Sequence, residues 1–147
     1  MAQAFKPSPQ LGLAGKQDWS PAEADAFVQG TVGKSAEPFM RDAVARADAR
    51  LRKTIFASLD TSSGPSSQQI VESSPTPLPV VNGEEGHLLT LDYFDSINYA
   101  NLWDKHCYRL AGLGHAPFWE SPGAFNPLLE RFLADVTNDR ASARSAA

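Results

Sequence analysis

Three histidines and a scatter of carboxylates are the groups in this chain with acid–base chemistry to offer. His115 stands in "GLGHAPFWE", residues 112–120, behind a glycine and ahead of a proline, two large aromatics and Glu120. About thirty residues earlier "NGEEGH", residues 82–87, brings Glu84, Glu85 and His87. A carboxylate facing an imidazole is the orienting half of a nucleophile–base–acid triad. The acid fixes the ring tautomer and stabilises the imidazolium, which leaves the other nitrogen free to take a proton. The simpler alternatives are a structural hydrogen-bonding role for His115 and a solvated turn for the glutamates. His87 and His106 lack metal-ligand spacing with each other or with Cys107, so they read as solvated or core-edge groups and no metal is expected. Cys107 is the single cysteine. It reads as a small buried side chain rather than a nucleophile, it excludes an internal disulfide, and it suits a reducing, cytoplasmic compartment.

The elements that must position these groups change character along the chain. Residues 1–16 carry prolines and glycines with no apolar period and read as an irregular arm. "SPAEADAFV" then has Ser20 as N-cap, Pro21 at the first helical position and Glu23 closing a capping box. "EPFMRDAVARADARLRKTIFASL" is helical by the spacing of Phe39, Val44, Ala47, Leu51, Ile55 and Phe56, with Asp48 as a point of division. "DTSSGPSS" reads as a loop and "QQIVES" as a short helix. Beyond it "LPVV", bounded by prolines and Gly83, is too brief for a helix and suits a buried strand. "LDYFDSINY" reads as a helix and "HCYRLAG" as a second strand. "SPGAFNPLLERFLADV" makes an amphipathic helix through Phe125, Leu128, Leu129, Phe132 and Leu133, with Pro127 placing its regular start near Asn126. Strand, helix, strand, helix is the pattern of a parallel sheet with crossover helices. In such sheets the loops at the carboxyl ends of the strands form the site. The pattern therefore predicts that the 83–87 and 112–120 loops meet.

Composition excludes several function classes. At 147 residues, 42% hydrophobic and 20% charged, the chain fits one soluble domain. No apolar run approaches a membrane span, and there is no signal-peptide layout. The net charge of −4 leaves no basic footprint for nucleic acid. Arg41, Arg46, Arg50, Arg52 and Lys53 are interleaved with Asp42 and Asp48, as on a solvated helix face.

The stretch "PLPVVNGEE", followed by "LAGLGHAPFWESPGAFNPLLERFLADV", resembles the C-terminal end of an α/β-hydrolase. In that family a strand ends in glycine with the acid usually three residues later, a further strand leads to a Gly-His pair, and a final helix packs on the sheet. The resemblance implies a partial α/β-hydrolase fold, with residues 1–76 as a helical cap or lid segment with an irregular arm, 77–140 as the C-terminal part of the core, and 141–147 as a frayed tail. It also implies that His115 is the family's base and that an ester or related acyl bond is the target. Carbon–halogen and epoxide cleavage, with an aspartate nucleophile, remain open on the same fold.

Two departures qualify that expectation. Gly86 occupies the usual acid position, so Glu85, then Glu84, then Asp92, are the substitutes, unless the acid comes from elsewhere. One of Glu84 and Glu85 is expected to face His115 and the other solvent. The second departure is the nucleophile elbow G-x-S-x-G, which the family places well over a hundred residues before the acid. "GKSAE" at 33–37 lacks the closing glycine and a preceding strand, and is not a phosphate loop because Val28 replaces its first glycine. Phe118 and Trp119 either line a substrate pocket beside His115 or anchor the loop on the last helix. Glu120 is expected to cap a helix start, and Trp103 to be core. The expected function is a Ser-acid-His hydrolase represented by its C-terminal part. It would need no cofactor, and would take a small ester-like substrate only when the nucleophile-bearing half is supplied. The alternative is a non-catalytic truncated product or interaction module, self-associating through an unpaired sheet edge.

Overall fold

Helix starts are where local chemistry is most explicit. In the computed structural model, which describes residues 3–58 and 65–145, the first helix is α1 (Pro9–Ala14). The Ser8 side chain accepts from the Leu11 N–H, and Pro9 fills the first helical position. This corrects the reading of residues 1–16 as wholly irregular. A proline at that position costs no hydrogen bond, because the N–H there would have no helical partner. α2 (Pro21–Val32) opens on the expected capping box, with Ser20 and Glu23 satisfying each other's backbone N–H groups. A 3-10 turn over Gly33–Ser35 follows. The long helical pattern divides into α3 (Pro38–Arg46) and α4 (Ala49–Ser58). Asp48 marks the division by accepting the Arg50 N–H at 2.9 Å, a local bond that competes with helix continuation. α5 (Ser67–Ser73) is capped by Ser66 and Gln69. Most of the "DTSSGPSS" loop lies outside the described residues.

The basic run is largely spoken for. Arg41 pairs with Asp25 and Arg50 with Asp48. Arg52 lies over the Trp19 ring and donates to the carbonyls of Lys16 and Gln17.

The second half alternates as its pattern predicts: β1 (Leu78–Gly83), α6 (Leu91–Asp95), β2 (Leu102–Leu110), α7 (Pro117–Glu120) and α8 (Pro122–Ser145). The two strands pair in parallel, with Val80 opposite Cys107 and Gly83 opposite Leu110. β2 starts earlier than "HCYRLAG" and carries a bulge. Between Leu78↔Leu102 and Val80↔Cys107 the chain advances two residues on β1 but five on β2. Asp104 and Lys105, inside the bulge, both take positive φ. That conformation is unfavourable for side chains other than glycine. Asp104 is held there by the Tyr108 hydroxyl and by Arg131 at 2.7 Å.

Trp103 is buried, as expected for a core residue, and ties β2 to α8. Its indole N–H donates to Asp135 at 2.9 Å, and its ring packs edge-on against Phe132. α8 departs from expectation in three ways. It begins at Pro122 rather than near Asn126, with Pro127 inside it. The carbonyl that Pro127 leaves without a donor belongs to Gly123, which is exposed and open to water. Leu129 and Leu133 are exposed, so the inward stripe runs through Phe125, Leu128, Phe132 and Val136. Finally, residues 141–145 continue the helix where a frayed tail is expected. No helix among the described residues is long and apolar enough to cross a membrane.

Candidate functional site

The loops that follow β1 and β2 meet at one end of the sheet, as the parallel topology requires. Glu84 N–H donates to the Leu110 carbonyl at 3.0 Å and Glu85 N–H to the Leu113 carbonyl at 2.9 Å. The approach is close enough to dictate a glycine. A Cβ on Gly83 would sit 1.9 Å from the Gly114 carbonyl oxygen and 2.4 Å from that of Leu113. The strand end and the histidine loop can touch only because position 83 has no side chain. Gly86 closes the turn by donating to the Gly83 carbonyl at 3.2 Å. A Cβ there would point at the backbone of Gly114, 3.6–3.7 Å away. Position 86 thus faces the loop that carries His115.

His115 is exposed at the mouth of this junction. Surrounding protein atoms still desolvate its ring, and this holds its pKa below the ordinary imidazole value; the nearby His87 acts in the same direction and Glu120 against it. The shift favours the neutral imidazole, the state that accepts a proton. Among the described residues no hydrogen bond or ion pair joins His115 to Glu84, Glu85 or His87, all three of which are exposed. Glu120 is the carboxylate whose charge acts on the ring. Its capping role differs from a cap on the long helix after it. It reaches back to accept the N–H of Gly114 at 2.8 Å and of Ala116 at 3.0 Å, the latter being the N-cap of α7.

Phe118 and Trp119 point to different neighbours. Phe118 is 59% exposed and packs edge-on against Phe125 of α8. Trp119 donates its indole N–H to the Ser35 carbonyl at 2.8 Å and sets its ring against Phe39 of α3. It bridges the histidine loop to the N-terminal helices across 84 residues of sequence. Beside it lies a cleft of about 440 Å³ lined by Lys34, Ser35, Ala36, Glu37, Trp119 and Pro122. Sequence spacing carries no sign of this bridge, because the acceptor is a backbone carbonyl in a turn.

The remaining candidates stand apart. His106 packs edge-on against Tyr108, a residue of β2 before the strand reaches the site. Burial, with Asp95 nearby, pushes the Cys107 thiol above its ordinary pKa, so it is not poised as a thiolate. Asp92 pairs with Arg109 at 2.6 Å, which holds its carboxyl below the usual range. No cluster of three His, Cys, Asp or Glu side chains that could hold a metal occurs among the described residues.

No family model and no curated protein matches the chain. Solved structures do. A serine-to-glycine variant of N-acyl homoserine lactonase AidH, complexed with N-hexanoyl homoserine lactone, superposes with a TM-score of 0.89 at 33% identity, over 92% of this chain and 50% of that one. AidH is an α/β-hydrolase, and this chain is similar to it. The chain has a partial α/β-hydrolase fold, with a two-stranded parallel sheet between helices. AidH complexed with N-butanoyl homoserine matches with a TM-score of 0.87 at 33% identity, and a glutamate-to-glycine variant with N-hexanoyl homoserine at 0.87 and 34%. The chain spans about half the length of these solved chains.

Proposed function

We propose that this chain supplies the base-bearing part of a hydrolase that opens cyclic or open-chain esters, with N-acyl homoserine lactones as the substrate class. The observation that carries the reading is the junction of the His115 loop with the end of β1, in a chain 33% identical to a lactonase solved with its lactone. In this reading residues 1–76 form the cap, residues 77–140 the C-terminal core, and a serine nucleophile comes from the complementary half of the fold.

The serine hydroxyl attacks the lactone carbonyl while His115 takes its proton. His115 then returns that proton to the ring oxygen as the C–O bond breaks, and water, activated the same way, releases the acyl homoserine. Glu85, or Glu84, orients the imidazole. Its present distance from a hydrogen bond is compatible with a contact that tightens only when substrate binds. A serine and a glutamate are the residue types replaced in two of the AidH complexes, and these are the types that a nucleophile and an acid require. Exposed Phe118 and the Trp119 cleft offer apolar surface to an acyl chain.

The test is reconstitution. The nucleophile-bearing half of AidH, made as a separate chain, is mixed with this chain, and acid release from N-hexanoyl homoserine lactone is followed by pH-stat. Turnover is expected to fall at least ~10²-fold with His115→Ala and with Glu85→Gln or Glu84→Gln. A reconstituted complex whose turnover ignores His115→Ala overturns the reading. This chain alone is expected to leave short p-nitrophenyl esters intact.

One observation favours a second reading, an interaction module. A cavity of about 490 Å³ is lined by Leu78, Pro79, Val80, Val81 and Asn82, five consecutive residues of β1, together with Phe5 and Tyr93. Successive strand residues face opposite ways, so a cavity lined by five in a row lies along the strand's edge. Among the described residues β1 pairs with β2 alone, and its other edge offers backbone groups to a further strand. Concentration-dependent dimerisation of this chain, without any reconstituted turnover, would favour that reading.

A further inference from the structure

The Glu120 carboxylate grips the two backbone amides that bracket His115, those of Gly114 and Ala116. We infer that Glu120 is the positioning residue of His115, a two-point clamp that fixes the loop on both sides of the imidazole and supplies the negative charge beneath it. The importance of the clamp for catalysis rests on the reading proposed above; the clamp itself does not.

Three features support it. First, each carboxylate oxygen takes one amide, and hydrogen bonds to an ionised acceptor are about twice as strong as neutral ones. With one amide on each oxygen, Glu120 holds the backbone on both sides of His115. Second, the loop leaves space for the carboxylate: a Cβ on Gly114 would come 2.9 Å from Oε1 and 3.1 Å from Oε2. The same glycine presses its carbonyl against Gly83 on the other side, so the histidine loop is wedged between β1 and Glu120. Third, the groups acting on the ring oppose each other. His87, from the 83–87 loop, disfavours the imidazolium, and Glu120, from α7, favours it. Glu84 and Glu85, on the same loop as His87, are exposed. In a mechanism that creates an imidazolium, a carboxylate held beneath the loop lowers the energy of that charge without moving.

The test uses the full isotopically labelled chain. His115 is titrated by NMR, and amide exchange is measured in wild type, Glu120→Gln, Glu120→Asp and His87→Gln. Glu120→Gln is expected to move the His115 midpoint to lower pH and to speed exchange at Gly114 and Ala116 roughly tenfold or more. His87→Gln is expected to move the midpoint to higher pH. Glu120→Asp keeps the charge but shortens the reach, so exchange quickens while the midpoint stays near wild type. A purely structural glutamate would alter exchange and leave the midpoint in place. An unchanged midpoint in a folded Glu120→Gln chain therefore overturns the inference, as does unchanged exchange at both amides. Should Glu120→Gln unfold the chain, unchanged exchange at both amides in Glu120→Asp overturns the inference. Failure of the catalytic reading would show separately, as lactone turnover independent of His115.

Discussion

The helices up to Ser73 and the strand-containing half are held together by different kinds of contact. In the first half most ties are short-range. Ser8, Ser20 and Ser66 cap their own helices, Thr31 and Thr54 bond back one turn, and Asp48 binds Arg50. The residues it buries are small, Ala4, Ala14 and Val28, while Phe39, Leu51, Ile55 and Ile70 remain exposed. In the second half the ties cross long stretches of chain: β1 on β2, Trp103 on Asp135, Asn101 on the Pro75 carbonyl, Gly83 against Gly114. Beside Ala116 it buries larger residues, Leu88, Leu91 and Trp103. Short-range ties form wherever the local sequence allows them, whereas long-range ties exist only once the whole half has folded.

The largest test of that contrast is Trp103→Ala. It removes a buried indole, its bond to Asp135 and its contact with Phe132 in one step. A loss of about 3–5 kcal/mol is expected, measured by urea unfolding, with α8 detaching from β2. A loss under about 1 kcal/mol would mean that the strand-containing half is not tied through this residue.

Two glycine substitutions sharpen the comparison. Gly83→Ala sets a methyl against the backbone of Gly114 and Leu113, which cannot yield without separating strand from loop. A destabilisation of about 1–3 kcal/mol is expected, with loss of the His115 environment. Gly30→Ala, in α2, first meets the side chain of Gln10, which can swing away. Better helix propensity there is worth up to about 1 kcal/mol, so the variant should be neutral or more stable. Equal losses from the two would erase the distinction between the halves.

The smallest effect belongs to the α2 cap. Ser20→Ala should cost about 1 kcal/mol of helix stability. Lys16 at 2.6 Å, then the Ser20 backbone N–H, hold the Glu23 carboxyl down to about 2, against 4.5 for a free glutamate. A depressed carboxyl contributes stability that is present above the unfolded value and lost as pH falls through the folded one. Helicity at 222 nm should therefore decline between about pH 4.5 and 2. Glu23→Gln should remove that part of the decline, and an unchanged acid profile in Glu23→Gln would show that the cap does not titrate.

Much of this architecture could be read directly from residues. Ser20-Pro21-Glu23 announced a helix start, Asp48 a division, and "LPVV" and "CYRL" two neighbouring parallel strands with their loops at one end; each stands where expected. Such features depend on backbone chemistry within a few residues, or on a pattern that has one good packing solution. α1 was hidden because proline and glycine counts obscure a Ser-Pro helix start. The inward stripe of α8 was blurred because leucines lie on both of its faces.

The identities and order of the groups follow from the residues alone: His115 in a loop after the second strand, glutamates after the first, and a glycine at the end of each strand or just beyond. Which of them touch is set by the folded chain. It turned Glu120 back onto the amides around His115, sent Trp119 to a carbonyl 84 residues away, and made Gly83 the point where strand meets loop. These partners are backbone N–H and C=O groups, which every residue other than proline carries alike. Residue types therefore cannot reveal which of them a side chain will meet, and that choice belongs to the fold.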